Sequence, residues 1–392
     1  MKLKAFCICA ALLLSILLPV QILPSFAAEV SAGEAVLEVE SGRLLYAKNE
    51  REQMPMASTT KIMTALLVIE ECSLDDVVTI PAQAAGVEGS SIYLQEGEKM
   101  TVRDLLYGLM LRSGNDCAVA LALHHSNTLD AFCKRMNERA NELGAFDTHF
   151  SNPHGLPAKG HFTTAHDLAV IAAYALKNPV FSQIVSAHTY TIPDGGCGYA
   201  RFLQNKNKML CQYEGADGVK TGYTKEAGRC LVSSATRDGM RIVCVVLDSP
   251  DMYNRSGELL DKCFSEYKLY KLFDSNEYIV ELDTDVPERT CKCRAENDFV
   301  YPLRKEELAF VRIEEDLPER LVLPVQEGDV AGNLKIYLKN QLIFSQKIVS
   351  IERKEKSFLD ILREIGKRNG LVCGSTNFLQ NAALQAGAPA TN

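Results

Sequence analysis

The stretch Met54–Leu67, MPMASTTKIMTALL, sets a serine and a lysine three residues apart, Ser58 and Lys61, at the head of an almost wholly apolar run. In an α-helix, residues at i and i+3 share a face. A helix apolar on every side belongs in a core. The stretch therefore reads as a buried helix that begins near Ser58, with the serine hydroxyl as its N-cap. A cap oxygen stands where unpaired backbone N–H groups and the positive end of the helix dipole converge. A lysine buried beside it loses the solvation of its charged form, so its pKa falls and it can accept the serine proton. A second Ser-x-x-Lys, Ser265–Lys268, lacks this helix-head context.

Two further short segments could supply partners. Thr101–Leu111 reads as an amphipathic helix with Thr101 and Asp104 suited to capping, and helical character resumes over Cys117–His125. Ser113-Gly-Asn115 then falls on the turn between them. Those residue types also suit an ordinary turn, and Ser375-Thr-Asn377 repeats the spacing. Lys220-Thr-Gly222 occurs once, inside ADGVKTGYT (216–224), which reads as an edge strand. Gly222 permits close backbone approach, Thr221 offers a hydroxyl to a carboxylate, and Lys220 supplies positive charge.

Around these motifs, AVLEVESGRLLYAKN turns at Ser41-Gly42 as a β-hairpin, and 128–143 and 163–177 read as helices. Between those helices, THFSNPHGLPAKGHF is loop. GRCLVSSAT and MRIVCVVL form a second hairpin about Arg237-Asp-Gly. Strands at both ends of one helical region imply an α+β domain whose antiparallel sheet is assembled from the two ends. The pattern changes near residue 275, and short alternating runs such as NLKIYLKNQLIFSQKIVSI indicate a small all-β domain over 276–350. Phe358, Leu359, Leu362 and Ile365 then share one face of an amphipathic segment, followed by a polar, alanine-rich tail.

At the N-terminus, Lys2 and Lys4 precede the apolar run Ala5–Leu18, Pro19 and Pro24 break it, and small residues end at Ala27-Ala28. This is a secretory signal over 1–28, and it implies an extracytoplasmic protein. Without Lys2 and Lys4 the chain holds 40 basic and 50 acidic residues, an acidic balance that argues against a nucleic-acid surface. Eleven cysteines follow the leader, scattered singly apart from Cys291-Lys-Cys293, with no zinc-like spacing. Mostly buried, reduced thiols are expected.

Ser-x-x-Lys, Ser-x-Asn and Lys-Thr-Gly occur in that order. With MASTTKIMTALL, LRSGNDCAVALA, THFSNPHGLP, HFTTAHDLAVIA and DGVKTGYTKEAGRCLVSSATRDG, they resemble the D-alanyl-D-alanine carboxypeptidases, the low-molecular-weight penicillin-binding proteins. The resemblance covers roughly residues 30–270, and 276–350 resembles the β-rich C-terminal domain of the same family. It implies a β-lactamase/transpeptidase-like catalytic domain over 29–272. Ser58 would be the acylated nucleophile and Lys61 its base, with Ser113 and Lys220 completing the proton relay and Asn115 orienting the peptide. The backbone N–H groups of Ser58 and Tyr223 would form the oxyanion hole, and Thr221 would hold the terminal carboxylate, assisted by Lys206 or Lys208. Peptidoglycan stem peptides are the implied substrate and β-lactams the implied inhibitors, with no metal or cofactor. DD-endopeptidase or transpeptidase action, β-lactamase action and non-catalytic wall binding are the rivals. Segment 352–370 resembles a membrane-surface helix. His154, His161 and His166 lack a Gly-x-Ser-x-Gly elbow and read as loop and capping residues.

Overall fold

The computed structural model describes residues 33–351, so the leader, the amphipathic segment at 356–368 and the tail lie outside the described residues. Among the described residues two compact units emerge, one running to Tyr270 and taking in Tyr301–Lys305, the other made of Lys271–Val300 and 306–351.

In the first unit, β1 (Gly33–Glu38) and β2 (Leu44–Lys48) form the expected hairpin. After two short ribbons, β3 (Val77–Thr79) with β4 (Lys99–Thr101) and β5 (Thr189–Ile192) with β6 (Arg201–Gln204), come β7 (Ala216–Thr224), β8 (Gly228–Arg237) and β9 (Met240–Leu247). The main sheet runs β2-β1-β9-β8-β7, so the N-terminal hairpin joins the later strands and β7 is an edge. This is the α+β arrangement expected from strands at both ends of a helical region.

The helices are α1 (Lys61–Glu71), α2 (Val102–Leu111), α3 (Asn115–Ser126), α4 (Leu129–Glu142), α5 (Ala165–Lys177), α6 (Pro179–Ser186), the short α7 (Met209–Gln212) and α8 (Met252–Glu266). Caps set several of their starts. The Thr101, Thr128 and Thr164 hydroxyls accept from Asp104 N, Ala131 N and Asp167 N. Asn178 caps α6 ahead of Pro179.

The sheet is covered on both faces. Val243 and Val245 of β9 pack with α1 and α5, whereas Cys244 and Val246 turn toward Leu259, Leu260 and Phe264 of α8. Burial on both faces explains why MRIVCVVL is a nearly unbroken apolar run. α1 sits inside the helical layer, with Lys61 through Val68 all buried.

The second unit is built on the sheet β11-β12-β16-β15-β14, formed by β11 (Ile279–Asp283), β12 (Thr290–Ala295), β14 (Val311–Asp316), β15 (Val330–Leu338) and β16 (Gln341–Ser350). Cys291, Cys293 and Ala295 alternate inward along β12, against Leu334, Ile336 and Ile348. Strand alternation therefore accounts for Cys291-Lys-Cys293, whose sulfurs stand 3.9 Å apart as thiols. Seven of the ten described cysteines are buried.

Arg201 of β6 is buried beneath the 92–98 loop and pairs with Glu98. Its Nε and Nη2 donate to Ile92 O and Tyr93 O at 2.9 and 3.1 Å. Arg201→Met should cost about 3–5 kcal/mol because it strands the buried Glu98 carboxylate. Adding Glu98→Leu should recover much of that loss, as read from urea unfolding of the first unit.

Candidate active site

Ser58 does not cap α1. Ala57–Thr60 forms a 3-10 turn, and α1 starts at Lys61 with no side-chain cap. The two threonines inside the motif hold this turn: Thr59 Oγ1 donates to Met56 O at 2.6 Å and Thr60 Oγ1 to Ala57 O at 2.8 Å. The three-residue spacing still brings Ser58 Oγ within 3.0 Å of Lys61 Nζ.

Lys61 is fully buried, and its amine also reaches Asn115 Oδ1 at 2.7 Å and His154 O at 2.6 Å. Asn115 cannot present its other end, because Nδ2 donates to Glu88 O at 2.6 Å. The His154 carbonyl is placed by Asn152, whose Oδ1 accepts from His154 N and Gly155 N. Thr64 of α1 also reaches this loop, donating to Pro153 O.

Two backbone features bring the walls together. Gly155, at φ +91°, packs so closely that a Cβ there would lie 1.9 Å from Ala57 O. A Cβ at Gly222 would lie 3.1 Å from Ser58 N, so glycine lets edge strand β7 close on the Ser58 turn. Ala57 and Ser113 themselves hold left-handed conformations, φ +47° and +63°. Such strain costs of order 1–3 kcal/mol each and persists where the surroundings impose it.

Burial and neighbouring positive charge shape the lysines. Desolvation comes first and the charge of Lys220 second in holding Lys61 well below the usual lysine range. Lys220 is also buried and is lowered to about 7 by desolvation, then by Lys206. Its Nζ donates to Thr221 O at 3.0 Å. Ser113 Oγ is buried and finds no hydrogen-bond partner among the described residues, so the hydrogen-bonded path expected from Ser113 to the lysines is not formed among them. Thr221 is half-buried and Tyr223 exposed on the β7 edge.

The structure separates Lys206 from Lys208. The Lys206 amine donates to Ser90 Oγ at 3.1 Å, and its charge acts on both Lys61 and Lys220. Lys208 instead stands at the head of α7. Asp116 is a contributor that motif reading passed over. Its Oδ2 accepts from Ser91 Oγ, Ile92 N and Leu94 N, tying the loop that flanks the site to the start of α3. Its position right after Ser-x-Asn is the signal that could have found it.

A half-buried serine against a buried lysine of lowered pKa, closed by an edge strand, defines a serine acyl-transfer site of the Ser–Lys type. A profile of the D-alanyl-D-alanine carboxypeptidase family matches residues 23–251, and one of the penicillin-binding protein 5 C-terminal domain matches 267–356. The chain is 32% identical over 339 residues to D-alanyl-D-alanine carboxypeptidase DacF of Bacillus subtilis, covering 84% of this chain and 87% of that protein. It is 30% identical to DacD of Escherichia coli over 83% of this chain and 87% of that one. Among solved structures, penicillin binding protein 5 from Haemophilus influenzae superposes with a TM-score of 0.69 at 28% identity, covering 82% and 96% of the two chains. The Streptomyces K15 DD-transpeptidase gives 0.57 at 35% identity over 59% of this chain and 96% of that one. The chain belongs to the D-alanyl-D-alanine carboxypeptidase family, and it is a serine-type peptidase with a β-rich C-terminal domain.

Gly155→Ala should displace Ala57 and slow any reaction of Ser58, with a loss of stability visible as a lower thermal midpoint. Burial, then the charge of Lys61, lowers His154 to about 3; burial, then His149 and Lys61, lowers His161 to about 4. Both rings stay neutral in the fold while the unfolded chain takes up protons below about 6.5. Stability should be full above that pH and fall as pH drops toward 4, by up to about 1.4 kcal/mol per pH unit for each ring. His161→Gln should reduce that slope in urea midpoints measured against pH.

Proposed function

We propose that this protein removes the terminal D-alanine from peptidoglycan stem peptides through an acyl-enzyme on Ser58. One observation carries the assignment of roles. A neutral amine has two N–H groups and one lone pair. In its neutral form Lys61 directs its two N–H groups to Asn115 Oδ1 and His154 O, at 2.7 and 2.6 Å, and turns its lone pair to the Ser58 hydroxyl, 3.0 Å away. Ser58 Oγ attacks the carbonyl carbon of the D-Ala–D-Ala bond as its proton passes to Lys61 Nζ. The tetrahedral oxyanion lies between the N–H groups of Ser58 and Tyr223. The C–N bond then breaks, and the leaving amine takes the proton from Lys61 through Ser113, whose hydroxyl has no hydrogen-bond partner among the described residues. Water cleaves the ester in the second half-reaction and restores Ser58. Asn115, engaged at both ends by Lys61 and Glu88 O, holds the amine in place and does not reach for the peptide as the motif implied. Lys220 supplies positive charge, and Thr221 with Lys206 receives the terminal carboxylate.

β-Lactams present the same acyl group in a ring and acylate the same serine. The reading of 1–28 as a leader places the activity outside the cytoplasmic membrane. The Streptomyces K15 neighbour, named a DD-transpeptidase, keeps transfer to a second amine in view as the other outcome of the same acyl-enzyme.

D-alanine release from a diacetyl-L-Lys-D-Ala-D-Ala peptide, with mass spectrometry after penicillin, tests the proposal. Release and an adduct on Ser58 are expected. Ser58→Ala should abolish both, with turnover lower by a factor on the order of 10⁴ or more. Acylation should weaken as acid protonates Lys61. Lys206→Ala should lower kcat/KM by about 10–100-fold, the loss of one charge-assisted hydrogen bond to the carboxylate. An adduct without release moves the substrate to crosslinked wall or the role to binding, and rapid hydrolysis of nitrocefin makes the protein a β-lactamase.

A further inference from the structure

We infer that His161 is a positioning residue for acylation: through Thr60 it fixes the carbonyl of Ala57 and hence the setting of Ser58 against Lys61. The inference rests on the reading of Ser58 as nucleophile. Ser151 N, which can only donate, lies 3.0 Å from His161 Nδ1. That nitrogen is therefore the acceptor, and the proton of the neutral ring sits on Nε2. Nε2 stands 2.8 Å from Thr60 Oγ1. Thr60 has one hydroxyl proton, which goes to Ala57 O at 2.8 Å, so Oγ1 receives the imidazole N–H. Every donor in this chain has a fixed direction: Ser151 N–H to His161, His161 to Thr60, Thr60 to Ala57.

The chain ends on a strained position. Ala57 has φ +47° and is the residue immediately before Ser58. Gly155 packs closely on the same carbonyl, so the histidine relay and the glycine contact hold one peptide unit. Thr60 lies inside the Ser-x-x-Lys motif, so a shift there moves the serine and the lysine relative to each other. Thr60 and His161 are both buried, and the ring packs edge-on to Phe150 with centroids 6.1 Å apart. The nearby charges from His149 and Lys61 add to burial in keeping the ring neutral, with His154 as a further titratable neighbour.

The test compares the full chain with His161→Leu, His161→Gln and Thr60→Val. It reads the rate of acylation by benzylpenicillin, kcat and KM for D-alanine release, and the thermal midpoint. A displacement of about 1 Å at a reacting pair costs on the order of 10²-fold in rate. His161→Leu should therefore lower acylation and kcat about 10–100-fold with KM within about threefold. Glutamine can both accept from Ser151 N and donate to Thr60, so His161→Gln should recover most of the rate. Thr60→Val breaks the same chain one link later and should match His161→Leu; it carries the test if the leucine variant fails to fold. A folded His161→Leu that acylates at the parent rate, or a glutamine variant as slow as leucine, overturns the inference. A parent protein that takes up no penicillin overturns the reading of Ser58, and this inference with it.

Discussion

The burial of one amine organises this site. Lys61 has no exposed surface, and its three hydrogen-bond partners are all neutral oxygens. Removal from water comes first and the repulsion of Lys220 second in holding the pKa of this amine well below the usual lysine range. The same amine on the protein surface would be protonated at neutral pH and useless as a base. Much of the first unit serves this burial: α1 is enclosed along Lys61–Val68, the 152–156 loop lays a carbonyl on the amine, and α3 begins with the amide that meets it.

Holding those partners has a cost that the surroundings meet. Ala57 and Ser113 occupy left-handed backbone within or next to the two motifs. Tight contacts hold the first of them, through Gly155 and the Thr60–His161 relay. Asp116 and Arg201 secure the 91–94 loop from two sides, by its N–H groups and its carbonyls respectively. Lys61 is thus held by several acceptors, whereas one buried hydroxyl, Ser113, has no acceptor among the described residues.

Legibility followed the length of each pattern. Helices α1, α2, α4 and α5 and the two hairpins of the main sheet stand out because apolar period, caps and turn residues agree over many residues. The ribbons β3–β4 and β5–β6 have strands of only three or four residues, too few for alternation to register. Helix α6 is signalled only by Asn178-Pro179, and α8 by a mixed stretch with Gly257 inside it. Reading Ser58 as a cap failed for a local reason: Thr59 and Thr60 bond back to the carbonyls before them and tighten the entry into a 3-10 turn.

The sequence by itself determined the spacing that puts Ser58 and Lys61 on one face, the α+β order of elements, and the three motifs that mark the family. Those depend on neighbours a few residues away and on the identity of short segments. Tertiary structure alone decided that the pKa of Lys61 is lowered, that Asn115 turns its oxygen toward it, that Lys206 and not Lys208 joins the charge cluster, and that His161 connects to Thr60. The partners of Lys61 lie 54 and 93 residues along the chain, and His161 is 101 residues from Thr60. A pKa is set by burial and by charges brought near through space, and the direction of a hydrogen bond is set by which donor arrives. Neither quantity belongs to a segment until distant segments have packed against it.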